Sequence, residues 1–298
     1  MRFGLVTPVV TCHPDHHSGW EEEGGPGEIA RIAVTADGLG YHHLTCSEHV
    51  AIPAGVAPIR GSRYYDPLAT LAFIAAQTTR VRLVTHVLVL PYHHPLALAK
   101  RYGTLDRLSG GRVVLGVGVG SLEEEFAALG VDFAGRGSQY EDALRALSAA
   151  LGRREPSYAG SHYRFDGMIV DPCAVQEHVP IWLGGRSERS LRRALVFADG
   201  WDPFRFTLAE LEELLPRARA WPAWRARTAS FDVVLTPERP PDPTVAAGRG
   251  ALTTLLDRHR AAGATVVNLR FQNRSLEHFL EQLAAFATDV APRFAGEP

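Results

Sequence analysis

Strand-like apolar segments alternate with amphipathic helical segments along almost the whole chain, and this alternation restricts the fold more than any other feature. RFGLVTPVV (2–10) reads as a strand, GEIARIAVTADGLGY (27–41) as an amphipathic helix closed by glycine, and HHLTCSEH (42–49) as a short strand. A Pro/Gly/Arg-rich loop (51–65) leads to a helix over 66–78, with Asp66 as cap and Pro67 at the first helical position. A strand (79–90), a helix (94–109) and a strand (112–120) follow. Strand–helix repeats without a break demand parallel strands, because parallel neighbours need a crossover between them.

The second half keeps the alternation with one interruption. A helix covers 138–151, and SYAGSHYRFDGMIVDP (157–172) reads as a hairpin excursion around Gly160 and Gly167. Strands at 179–185, 199–204, 231–236 and 264–271 then alternate with helices at 187–198, 208–221, 245–263 and 275–291. Eight strands and eight helices predict a single (β/α)8 TIM barrel over residues 1–298, with insertion loops. The length of 298 residues suits one such barrel.

Charge and cysteine content narrow the function. Lys plus Arg total 31 and Asp plus Glu total 33, a net charge of -2 without a basic block, which argues against nucleic acid or an anionic membrane as partner. No apolar run is long enough to span a bilayer, and the first residues lack the pattern of a signal peptide, so a cytoplasmic location is expected. Cys12, Cys46 and Cys173 lie far apart with no C-x-x-C, so neither a disulfide framework nor a zinc site is expected, and buried packing is their default.

In a barrel of this kind the chemistry collects at the carboxyl ends of the strands. Those ends read Ser47-Glu48-His49, Thr85-His86-Val87, Gly118-Val119-Gly120-Ser121 and Gly184-Gly185-Arg186-Ser187. Glycine weakens a strand, so three alternating glycines in GVGVGS imply a close backbone approach. The spacing is not the G-x-G-x-x-G of a dinucleotide fold. Gly184-Gly185 runs directly into a helix whose first amides suit a phosphate, with Arg186 adding charge.

PYHHPLALAKRYGTLDRLSGGRVVLGVGVGSLEEEFAALGVDFAGRG and VPIWLGGRSERSLRRALVFADGWDP resemble the luciferase-like flavin and deazaflavin oxidoreductases, especially the actinobacterial group that uses coenzyme F420. The resemblance runs from the first strand to about Phe204 and is weaker beyond. It implies a luciferase-like barrel, usually a homodimer, binding F420 or alternatively FMN at its carboxyl face. It assigns cofactor contacts to Glu48, Thr85, His86, Val87, Gly118, Val119, Gly120 and Ser121, and phosphate contacts to Gly184, Gly185, Arg186 and Ser187. It also implies a bulge with a non-proline cis peptide near Thr85-His86-Val87, behind the cofactor ring.

On the same resemblance, the family's deazaflavin-dependent alcohol dehydrogenases carry Asp-His where this chain has Glu48-His49, and an acid where it has Ser121. His49 is then the expected proton-transfer residue, its tautomer fixed by Glu48 or a backbone carbonyl. The missing acid favours reduction of an activated C=C, C=N or C=O group in a small organic substrate over alcohol oxidation. A reduced-FMN monooxygenase and a non-catalytic flavin-binding barrel are the alternatives. A side chain at Gly120 is expected to fill the ligand site rather than the core.

Other conspicuous residues have bland readings. His13, His16 and His17 lie in a glycine-rich loop that suits a substrate lid better than a metal site. Glu21–Glu23 reads as a solvated charge run. His42, His43, His93 and His94 read as packing or capping residues, and Trp182 and Trp201 as barrel packing.

Overall fold

The computed structural model describes residues 1–295 and is a closed eight-stranded parallel barrel. The barrel strands are β1 (Arg2–Leu5), β2 (His43–Cys46), β3 (Arg82–Val89), β4 (Val113–Gly118), β5 (Ile181–Gly185), β6 (Gly200–Pro203), β7 (Asp232–Leu235) and β8 (Val266–Leu269). Each pairs with its neighbour in sequence order, and β8 closes on β1 with Arg2 opposite Val266. The eight expected helices are all present as the outer ring, joined by short helices at Ala57–Arg60, Glu123–Ala128 and Pro222–Arg225. Asp66 caps the helix Pro67–Gln77 by accepting from the Ala69 amide at 2.8 Å.

The expected excursion is a small antiparallel hairpin, Tyr158–Ala159 against Arg164–Phe165. Asp142 anchors it. Its carboxylate accepts from the Tyr158 hydroxyl and from the amides of Ser161, His162 and Tyr163.

Strand alternation sends every second side chain into the lumen. Val84, Val114, Trp182, Val234 and Val266 form a buried cluster there, while a larger apolar shell including Leu83, Leu115, Leu183 and Trp201 packs outward under the helices. Two residues beyond Val114 and Trp182, on the same strand faces, come Gly116 and then Gly118 on β4, and Gly184 on β5. Above the Trp182 layer, these two strands therefore contribute no inward side chain. The mouth of the barrel is opened by this choice of residues.

Both tryptophans are packing residues, with Trp182 and Trp201 at most 1% exposed. Of the cysteines, Cys46 is buried as expected, whereas Cys12 and Cys173 are half-buried, and all three are free. Among the described residues no helix is long and apolar enough to cross a membrane.

Candidate active site

The third strand carries the irregularity on which the site is built. The pairing of β3 with β4 slips between Thr85 and Leu88, and the His86–Val87 peptide is cis. The bulge brings Thr85 and Val87 against the β4 glycines. A Cβ on Gly116 would sit 2.0 Å from the Thr85 carbonyl oxygen, one on Gly118 would sit 2.7 Å from a Val87 methyl, and one on Gly184 would sit 3.2 Å from the other. The close approach inferred from the sequence is real, but its occupant is Val87. The half-exposed valine becomes a platform at the mouth. Thr85, by contrast, is fully buried, and its hydroxyl is bonded to the Gly116 carbonyl at 2.8 Å.

Gly120 departs from expectation in the same way. It has φ +79, and a Cβ there would lie 2.5 Å from the Phe126 ring and 2.7 Å from Val89. A side chain at Gly120 would enter packed protein rather than the ligand site. Val119 is half-buried against the core, and exposed Ser121 accepts a hydrogen bond from Arg60 at 3.4 Å.

His49 follows β2 and is held by an acid from a different loop. Its Nδ1 lies 2.8 Å from Glu125 Oε2, and its ring sits edge-on to Tyr64 with centroids 4.6 Å apart. Glu125 is fully enclosed and also accepts from the amides of Val50 and Ala51 and from the Tyr92 hydroxyl at 2.9 Å. Burial alone would raise its pKa, but His49, the Ala51 amide and Tyr92 together hold it below the ordinary carboxylate value. Burial and the Glu125 charge push the Tyr92 phenol in the opposite direction, upward. An acceptor-only carboxylate fixes the proton of His49 on Nδ1 and leaves Nε2 free to exchange one, with no partner among the described residues.

Glu48 does not fix His49, contrary to expectation. Its buried carboxylate accepts from the Val89 amide at 2.7 Å and lies 2.7 Å from His93 Nε2, so it ties the end of β2 to the end of β3. His93 is thus a partner of Glu48, and His94 caps the helix Pro95–Ser109 through the Leu96 amide.

The fifth strand runs through two glycines directly into a helix. A Cβ on Gly185 would sit 2.2 Å from Ser190, so glycine is what lets the helix Glu188–Phe197 start close against β5. Ser187 is its N-cap and accepts from the Ser190 amide at 3.3 Å. The amides of Glu188 and Arg189 remain in the unpaired first turn, and Arg186 and Ser187 are exposed beside them. Unpaired amides, the dipole and a guanidinium suit a phosphate.

The loop after β1 is anchored, not loose. Glu21 is 1% exposed and is not part of a solvated run: its carboxylate lies 2.6 Å from Arg270 after β8 and accepts from the amide of Val9, a non-glycine residue with φ +72. Arg270 also donates to the His16 and Thr7 carbonyls, and Trp20 donates to Asn273 at 2.5 Å. The His13 and His16 rings lie 5.0 Å apart, yet no cluster among the described residues could hold a metal ion. The loop is tied to the segment after β8 by these contacts.

A barrel with a β3 bulge, a glycine-lined fourth strand and a glycine turn into a helix after the fifth matches a known architecture. The sequence profile of the luciferase-like monooxygenases matches residues 1–284. The chain belongs to this luciferase-like family. An uncharacterized protein of Mycobacterium tuberculosis is 33% identical over 189 residues, covering 59% of this chain and 66% of that relative, just under two thirds of its length. The 4-hydroxyprotoasukamycin monooxygenase of Streptomyces nodosus subsp. asukaensis is 38% identical over 125 residues, covering 42% of this chain and 32% of that protein.

Solved structures share the fold of this luciferase-like chain end to end. The monooxygenase RslO1 of Streptomyces bottropensis superposes with TM-score 0.78 at 22% identity, covering 99% of this chain and 100% of that one. An F420-dependent secondary alcohol dehydrogenase in complex with an F420-acetone adduct gives 0.72 at 13%, covering 99% of each chain. The oxygenating constituent of 3,6-diketocamphane monooxygenase from Pseudomonas putida, in complex with FMN, gives 0.73 at 16%, covering 98% of each. Neighbours with this fold thus use either F420 or FMN.

Several site residues of this luciferase-like barrel escape a sequence reading. Glu125 stands in SLEEEF, where three consecutive acids look like a solvated helix start, yet it is buried while Glu123 and Glu124 are exposed. An acid thus stands four residues beyond Ser121 and meets His49 at 2.8 Å. Adjacency to buried Phe126 is the only local signal. Tyr64 carries no motif, and Tyr92 lies in the PYHHP stretch without a role assigned to it.

Proposed function

We propose that the protein transfers a hydride between coenzyme F420 and a small organic substrate, with His49 moving the accompanying proton. The observation that carries this reading is the pairing of His49 Nδ1 with Glu125 at 2.8 Å, which leaves Nε2 as the proton-exchanging atom. The residues present fit a flavin-type group: Val87 over three glycines offers a flat apolar floor, and the turn Gly185–Ser187 offers amides for its phosphate. When bound, that group supplies the hydride acceptor or donor. In reduction His49 delivers a proton to the C=O, C=N or activated C=C, and in oxidation it takes one from the alcohol. Glu125 stabilises the imidazolium in either direction. The anchored 13–27 loop limits water at the mouth.

F420 is favoured by the resemblance of 91–137 and 179–203 to the actinobacterial F420 group. A second reading, oxygenation by reduced FMN, is favoured by the similarity to the Streptomyces monooxygenases. A homodimer is part of the proposal, supported by the uncharged outer face Ala69, Ala72, Phe73 and Ala76 of the helix Pro67–Gln77. The deciding experiment is titration of the purified protein with each cofactor. F420 is expected to bind at least tenfold more tightly than FMN, a difference of about 1.4 kcal/mol or more. Equal or tighter FMN binding with oxygen-consuming turnover would overturn the hydride-transfer reading.

A further inference from the structure

Two polar pairs span the barrel interior, one above the other. In the lower pair, His43 of β2 meets Asn268 of β8 at 2.6 Å, in space left by Gly4, where a Cβ would strike the His43 ring at 2.1 Å. Both residues are fully buried. Burial, followed by the neighbouring His42, holds the His43 pKa well below its ordinary value, so this pair is neutral.

The upper pair differs in kind. His86 of the bulge places Nε2 2.9 Å from Asp202 Oδ2 on β6, across the lumen and past the two intervening strands β4 and β5. The Asp202 side chain is 3% exposed and that of His86 23%, so the acid is enclosed and the imidazole is the part that reaches the mouth. Asp202 Oδ2 has no well-aligned hydrogen bond from any side chain or amide, so a cation beside it is its compensation. Burial opposes a charge on His86, but the charge of Asp202 and its contact outweigh burial and raise the pKa above the ordinary value. From β4 and β5 only glycines face the pair. From β2 it is faced by neutral His43.

An imidazolium carries two N–H donors. Nε2 faces the Asp202 carboxylate at 2.9 Å as a charge contact, and Nδ1 has no acceptor among the described residues. Beside it in sequence lies Val87, the half-exposed floor of the mouth. A flat apolar floor bordered by one cation with an unused donor suits a planar ring with an electron-rich edge.

We propose that His86, paired with the enclosed Asp202 across the barrel mouth, is a binding group for the carbonyl–nitrogen edge of the flavin or deazaflavin ring and favours its reduced, anionic form. This rests on the cofactor reading given above. A positive charge at that edge acts on the redox equilibrium of the bound ring, because hydride addition makes the ring one unit more negative and the cation stabilises that added charge.

The test compares oxidised and reduced FMN, and oxidised and reduced F420, in anaerobic titrations of the full chain. His86→Gln is expected to weaken binding of the reduced ring at least tenfold more than binding of the oxidised ring, which for bound FMN is a fall of about 30 mV in the two-electron potential. Asp202→Asn keeps the imidazole but removes its counter-ion, so the preference for the reduced ring should be lost at pH 8 and return at pH 5.5. Equal weakening of both redox forms by His86→Gln, or an Asp202→Asn ratio that does not change with pH, overturns the proposal. Should His86→Gln fail to fold, the Asp202→Asn ratio at the two pH values decides alone. If the wild-type protein binds neither ring, the cofactor reading itself fails; if it binds one and the variants leave the ratio unchanged, only the role of His86 fails.

Discussion

His49 and Glu125 stand 76 residues apart in the chain and meet at 2.8 Å, joining the loop after β2 to the loop after β4. The contact gives His49 one fixed proton and one free nitrogen, and it gives Glu125 a reason to be ionised while fully enclosed. His49→Ala is expected to keep cofactor affinity within a few fold and to lower single-turnover hydride transfer by about 100-fold or more. Glu125→Gln should lower the rate in the same direction and unsettle the Val50–Ala51 turn that its carboxylate holds. Stopped-flow transfer rates at saturating cofactor, measured beside binding constants, check this. A near-native rate for His49→Ala removes it from the mechanism.

Gly120 serves the protein's own packing. Gly120→Val is expected to cost about 1–3 kcal/mol for overpacking against Phe126 and Val89, with roughly 1–2 kcal/mol more for a side chain in the left-handed region. Since Phe126 neighbours Glu125, His49 should be disturbed as well. Urea unfolding reads the loss. A variant with wild-type stability that merely fails to bind cofactor would return Gly120 to the ligand site.

The buried pair Glu21–Arg270 roots the loop after β1. Removing one partner of such a pair leaves an uncompensated charge and costs about 3–5 kcal/mol. Arg270→Met is therefore expected to lower stability by that order and to open the 13–27 segment to limited proteolysis at native temperature. An unchanged cleavage pattern would mean that Trp20 and its bond to Asn273 hold the loop unaided.

Acid should weaken the fold from a pH set by the histidines at the foot of the barrel. Burial, followed by Arg2 and Arg82, lowers the pKa of His42 to about 3, and His43 lies well below its ordinary value for the same leading reason. Between pH 3 and about 6.5 the unfolded chain binds more protons at His42 than the folded chain, so stability falls as pH drops through that window. The depressed carboxyl of Glu125 has the same sign lower down: its contribution is present above the unfolded value of about 4.3 and is lost as pH falls through the folded value. Thermal unfolding temperatures should decline as pH falls below about 6.5, while His86, its pKa raised chiefly by Asp202 against burial, has the opposite sign and gives up its contribution as pH rises through its folded value. In His42→Gln the decline should be shallower; an identical profile would locate the titration elsewhere.

Local periodicity and punctuation fixed much of this protein before any contact was known. The strand–helix alternation, the Asp66-Pro67 helix start and the apolar β-branched run before Gly116 each depend on neighbours a few residues away, so they are legible in sequence order. From them follow a parallel barrel and the Gly184–Ser187 turn at its carboxyl end, whereas the bulge near His86 and the interest of His49 came from the family resemblance. What tertiary structure alone decided is which distant group meets each of these. Closure of the barrel sets Glu125 rather than Glu48 against His49, fills the glycine space with Val87, buries Glu21 on Arg270 and carries His86 across to Asp202. These contacts cross between loops and strands far apart in the chain, and a buried acid differs from a solvated one only in what surrounds it, which the letters SLEEEF and WEEEG do not state.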